Sequence, residues 1–339
     1  GWQIPDNAEV ARITDSQGEI EDYSRSDDKL QIQTNRGPAR KSEKIKIELR
    51  LDKNTDEIVD GLNTRKISLP GLPSKNTTGT VLNKDLISAS ITEGFVGDIS
   101  KNRVDFKGKG GLNIQLNSGE GKEEGDYTFF GGKIENSSLA YRISVGTTGL
   151  TQRYSSIPVA VMEGEKYDSK ASSWSEGEYS AGVVRIRETD DNSAHVLAEE
   201  TVHAFNDEAL SFDRTTSSYI DEGVAGHTQS QVRKKILGED RIREVFGEEV
   251  TYTKIENGSL YQYKKPSNGR KEKLWRYYSE DMDFMKSWSP RDSDHRRFGY
   301  AYSELIVKNY ISKNNTLKEF YNSLNSEKLE NNKQKWRYY

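Results

Sequence analysis

Apolar and polar residues alternate along "EKIKIELRLD", where Ile45, Ile47, Leu49 and Leu51 take every second position. A period of two marks a strand with one face buried and the other in water. The same period returns in "GLNIQL" through Leu112, Ile114 and Leu116. It appears again in "LAYRISV" through Leu139, Tyr141, Ile143 and Val145. Turn formers such as "LPGLPSKN", "GKGG" and "NSGEG" separate these runs. Residues 43–150 are therefore predicted to form an antiparallel, sandwich-like β domain. Residues 1–42 are more polar and read as an irregular arm, with one short strand at Leu30 and Ile32. Residues 331–339 read as a polar tail.

After "VGTTGLTQRYSS" the pattern changes. "IPVAVMEG" and "YSAGVVRIRET" read as strands. Helical periodicity then covers about 194–208, 217–236, 298–312 and 316–326. The last of these opens with "TLKE", Thr316 to Glu319, a capping box. Strands followed by helices predict an α+β second domain over residues 151–330, so the whole chain is expected to be α+β.

Composition narrows the function. Hydrophobic residues make up 32% and charged residues 31% of the 339, which is polar, but 18 Tyr, 10 Phe and 5 Trp supply enough bulk for cores and argue against wholesale disorder. The net charge of −4 comes from interspersed signs, without the basic stripe a nucleic-acid partner needs. The basic run "KKPSNGRKEKLWR" reads as a solvated loop. "FKGKGGLN" lacks the Gly-Lys-Ser/Thr ending of a phosphate loop. No run approaches the roughly 18 apolar residues of a membrane span. Cysteine is absent, which excludes disulfides and Cys-ligated zinc. That composition fits an extracellular or cell-surface protein, the location expected here, although intracellular proteins also lack Cys.

The chemistry concentrates in "HVLAEETVHAF", residues 195–205. On a helix, residues four apart share a face, so Glu199 and His203 project side by side as two metal ligands from one helix must. Glu200 stands one position round, where a general base reaches a water molecule held at a metal. Eighteen residues separate His203 from Glu222, which stands in "DEGVAG". That length allows the helix to end, turn and return, aiming a third ligand at the first two. His195 extends the column of Glu199 and His203, but ligands at both ends would stand about 12 Å apart at 1.5 Å per residue. It is read as a surface residue near the helix start.

These residues resemble the gluzincin metallopeptidases, which carry His-Glu-x-x-His, about eighteen residues, then Glu in a Glu-Gly-x-Ala setting. "FGYAYSELIVKNYISKNNTLKEFYNSL" is similar to the C-terminal helix pair of such domains, and "AGVVRIRET" to a strand that precedes their active-site helix. The resemblance covers roughly residues 151–326. It implies a zincin-like mixed sheet with a helical catalytic portion, and a peptide or protein substrate. Glu199, His203 and Glu222 would hold Zn2+, and Glu200 would act as general base. Tyr300, Tyr302 and His295 are candidate donors to the oxyanion. "VAVMEGE" is similar to an amine-gripping aminopeptidase strand but lacks its Asn. Glu163 is therefore read instead as the end of a strand entering a turn.

One position departs from the family: Glu199 stands where the first His belongs. A carboxylate also binds zinc. Two Glu and one His leave a zinc centre formally neutral rather than +1, so it acidifies water less. Oxygen-rich ligation also admits Mn2+ or another divalent ion. Two functions are thus expected in turn: a metal-dependent peptidase, or a non-catalytic pseudopeptidase serving as a surface-structural or protein-binding module.

Overall fold

The computed structural model describes residues 2–3, 8–26, 29–33, 45–51, 56–69, 76–91, 95–100, 102–109, 111–151, 156–189, 193–210, 214–245, 250–256, 259–265, 272–277 and 299–300, together with 303, 304, 307, 308, 311, 317 and 319. The chain divides into two units, Gly1–Glu120 and Gly121–Tyr339.

The first unit is built of antiparallel strands: β1 (Trp2–Gln3), β2 (Ala8–Asp15), β3 (Gly18–Glu19), β4 (Tyr23–Ser26), β5 (Lys29–Ile32), β6 (Lys46–Leu51), β7 (Asp56–Val59), β8 (Leu62–Leu69), β9 (Asn76–Leu82), β10 (Leu86–Ile91), β11 (Phe95–Ser100), β12 (Arg103–Lys109) and β13 (Leu112–Gly119). They pair in the orders β1-β5-β4, β3-β2-β6, β10-β13-β8-β7 and β11-β12-β9. Ile67, Leu112, Ile114 and Leu116 from one sheet share a core with Val104 and Phe106 from another. Ile13, Ile20 and Leu30 form a second core.

That second core corrects the reading of residues 1–42 as an irregular arm. β2 pairs with β6 over its length, and a register shift between Val10 and Arg12 breaks the alternation. The apolar side chains of β2 therefore fall at Ala8, Val10 and Ile13, and no period of two survives to be seen.

The second unit is mixed α and β. Its sheet has the order β14-β15-β16-β18-β17. The strands are β14 (Lys122–Glu124), β15 (Tyr127–Phe130), β16 (Ile157–Met162), β17 (Gly177–Ser180) and β18 (Val183–Arg187). β15, β16 and β18 run parallel, while β14 and β17 lie antiparallel at the edges. The parallel strands are almost wholly buried, as strands covered on both faces are. Among the described residues the continuous helices are α1 (Ser137–Thr148), α2 (Gly164–Lys170), α3 (Ala194–Leu210) and α4 (Arg214–Val245), the last kinked at Gly238. A three-stranded sheet follows, with β19 (Val250–Glu256), β20 (Ser259–Lys265) and β21 (Glu272–Tyr277). The basic run expected to be a solvated loop thus belongs at both its ends to strands. Of the C-terminal pair, Gly299, Tyr300, Ser303, Glu304, Val307, Lys308, Ile311, Leu317 and Glu319 are helical.

Helix α1 replaces the strand expected from Leu139, Tyr141, Ile143 and Val145. Its buried residues are the small ones, Ser137, Ala140, Ser144 and Thr148, at helical spacing. Ser144 Oγ donates to the carbonyl of Ala140 at 2.9 Å and Thr148 Oγ1 to that of Ser144 at 2.8 Å, so neither hydroxyl is stranded. A second contact, Ser144 Oγ to the Ala198 carbonyl at 3.3 Å, brings α1 against α3. Gly149 ends the helix at φ 71°, with its N–H on the Val145 carbonyl at 2.7 Å.

Candidate metal centre

Helix α3 is buried on most of its circumference. Val196, Leu197, Ala198, Ala204 and Phe205 join the core beneath the mixed sheet. Its polar residues are fixed from within: Thr201 Oγ1 donates to the Leu197 carbonyl at 2.6 Å and lies 2.8 Å from the hydroxyl of Tyr127. A helix so enclosed holds Glu199, Glu200 and His203 in place rather than letting them range through solvent.

Glu199, His203 and Glu222 converge. One ligand atom from each lies within 4.8 Å of the other two. His203 Nε2 is 3.5 Å from a carboxylate oxygen of Glu222. Donors around a tetrahedral zinc with bonds of about 2.0–2.2 Å stand roughly 3.3–3.5 Å apart, so this pair fits, and the Glu199 donor lies within 4.8 Å of the other two. Asp221, which sequence reasoning passed over, accepts from His203 Nδ1 at 2.9 Å. That bond holds a proton on Nδ1, and Nε2 faces Glu222, where it becomes a metal donor once it gives up its own proton. The other oxygen of Asp221 accepts from Asn206 Nδ2 at 2.5 Å.

The electrostatics also favour a cation. Burial pushes the Glu200 carboxyl up to about 8; the charges of Glu199 and Glu222 add to this, against the opposing pull of His203 and of a hydrogen bond from the Tyr179 backbone. Burial likewise lifts Glu199 to about 7, with Glu222 adding and His203 and Arg233 opposing. Burial disfavours charge on His203, but Asp221 and Glu222 outweigh it and hold its pKa well above the usual value. Carboxylates crowded around one imidazole out of water repel one another, and a divalent ion among them relieves that repulsion.

The edge strand β17 borders this site. Gly177 lies so close that a Cβ there would meet Val196 Cγ1 at 2.5 Å and Glu200 Oε1 at 3.0 Å. Tyr179 is held at two points: its backbone bonds to Glu200, and its hydroxyl donates to Asp207 Oδ2 at 3.1 Å. On the other face, Glu178 accepts from the N–H and hydroxyl of Ser172 at 3.0 and 3.1 Å and stands 3.6 Å from Arg185. Burial raises Tyr167 to about 12, and Glu200 acts on it in the same sense.

The remaining candidates separate. His195 is buried, at 6% exposure, and is not the surface residue expected; it stands outside the three converging donors. Glu163 is exposed and precedes α2, so the strand β16 does end there, leading into a helix. Tyr300 is half-buried on a helical residue. Tyr302 and His295 lie outside the described residues.

No protein-family profile matches the chain, and no curated protein matches it. Among solved structures it is similar to aminopeptidase A of Legionella pneumophila in complex with aspartic acid, at 12% identity and a TM-score of 0.42, over 95% of this chain and 41% of that one. It is also similar to an M1 zinc metallopeptidase of Deinococcus radiodurans, at 11% identity and a TM-score of 0.32, over 71% of this chain and 64% of that one. A mutant of that enzyme bound to a Tyr-Ser-Ala substrate gives 11% identity and a TM-score of 0.30. The chain spans less than two thirds of the length of each. At that level of likeness the chemistry is read from the side chains themselves.

Proposed function

We propose that the second unit is a gluzincin-like, metal-dependent peptidase. The observation that carries this reading is the meeting of Glu199, His203 and Glu222 beside the buried Glu200. These three residues would hold the ion, and zinc suits their nitrogen and oxygen donors. A divalent ion so held polarises a scissile carbonyl and acidifies a water molecule.

The rest falls to the chain's own residues. Glu200 takes the proton of the attacking water and passes it to the leaving amine. Its burial keeps bulk water from competing for that proton. Asp221 steadies the imidazole of His203 through Nδ1. β17 offers an outer edge to an extended peptide, which would add as a further strand and pass next to Glu200. Tyr300, Tyr302 and His295 remain the candidates for donating to the oxyanion. A cell-surface location belongs to the same proposal.

Metal analysis joined to cleavage of a broad peptide library tests the reading. Glu200→Gln is expected to lower cleavage by about 10²–10⁴-fold while metal content stays at the wild-type level. Glu199→His is expected to raise cleavage by making the bound ion more acidifying. A wild-type protein that takes up no divalent ion and cleaves nothing sinks the proposal. One that binds the ion and cleaves nothing, with or without Glu199→His, is a pseudopeptidase.

A further inference from the structure

Glu199 sets this site apart, and a residue outside the site grips its carboxylate. Oε2 of Glu199 accepts a hydrogen bond from Gln229 Nε2. Gln229 lies on α4, seven residues after Glu222, which is two turns along the same face. Arg233, one turn further, acts electrostatically on Glu199 and also on Glu176 and Glu304. Helix α4 thus carries one ligand of the centre and, two turns on, the donor that orients a ligand belonging to α3.

A carboxylate binds a cation through one oxygen or through both. Two-oxygen binding raises the coordination number and suits larger, harder ions; a four-coordinate set of nitrogen and single oxygens suits zinc. An imidazole in the place of Glu199 would present one donor atom and raise no such choice. With Glu it arises, and an amide N–H on one oxygen settles it.

We propose that Gln229 restricts Glu199 to one-oxygen ligation and so makes the centre select zinc over manganese; this inference rests on the metal-dependent reading above. The hydrogen bond draws Oε2 toward α4 and leaves the other oxygen to the ion. The count of donors is then one each from Glu199, His203 and Glu222.

The test compares zinc and manganese binding to the full chain by competition with a chromophoric chelator. Gln229→Met removes the donor at nearly constant volume, and Gln229→Ala removes it where Met does not fold. Zinc affinity is expected to fall about 10–100-fold, the usual effect of losing a partner to a ligand. Manganese affinity is expected to hold or to rise, so the zinc-to-manganese ratio drops at least about tenfold. A ratio equal to that of the wild type overturns the inference while leaving the metal centre standing. A wild-type protein that binds neither ion overturns both.

Discussion

His203 stands between two carboxylates that do different things. Asp221 accepts the hydrogen bond of Nδ1–H and fixes the ring, while Glu222 faces Nε2 across 3.5 Å. Asp221→Asn keeps the shape but removes the charge that draws on the ring proton. It is expected to weaken zinc binding about 10–100-fold without abolishing it. Chelator competition measures this, and an unchanged affinity would mean that Asp221 does not orient the ring. Gly177 makes a second residue-scale case. In Gly177→Ala the new methyl meets Val196 at 2.5 Å, closer than real contacts come, and Glu200 at 3.0 Å, a tight one. The variant is expected to lose about 1–3 kcal/mol of stability, together with cleavage, because β17 must move off Glu200. Urea unfolding checks the first loss and peptide cleavage the second; an unaffected variant would show that strand and helix are not tightly apposed. Glu199 and His203 were readable in the sequence because helical periodicity puts i and i+4 on one face, whereas Glu200 and Glu222 were read from their spacing and the family resemblance it carries. Asp221, Tyr179, Gly177 and Gln229 were not, since each acts on a residue brought near by the fold.

At the scale of elements, Gly223 shows how two opposed effects are decided. A helix interior favours Ala over Gly by roughly 1 kcal/mol. Yet a Cβ at Gly223 would meet the Ser303 carbonyl oxygen at 2.5 Å and Val307 Cγ2 at 3.0 Å. Backbone cannot rotate away as a flexible side chain can, so the clash wins. Gly223→Ala is expected to destabilise by about 1–3 kcal/mol and, being next to Glu222, to weaken zinc binding. Thermal unfolding and chelator competition check it; a more stable variant would show that this helical packing is absent. Helix α4 covers the expected 217–236 but runs beyond it, to Val245, and α3 lies where its periodicity indicated. α1 does not, because its large apolar residues alternate while its small ones form the buried stripe. Local period and tertiary burial give opposite answers there. Close approach to α3 at Ala198 favours the helix. In β2 the obstacle was a bulge, which moves the apolar positions off a strict period.

At the scale of the whole molecule, the residues of the proposed centre all fall within Gly121–Tyr339, and the first unit has cores of its own. Zinc is therefore expected to stabilise the second unit by about 2.7 kcal/mol at one hundred times its dissociation constant and to leave the first unit's transition in place. Calorimetry with zinc and with chelator tests this; transitions that move together would show the two units to be one cooperative body. The sequence by itself determined which residue types were available to a cation, the helices that carry them, and the strands of plain period two, because all of these follow from repeats a few residues long. Tertiary structure alone decided that α1 coils, that β2, β3 and β4 pair as strands, that Asp221 backs His203, and that Gln229 reaches Glu199. Those depend on contacts between distant segments, whose free energy no local pattern records.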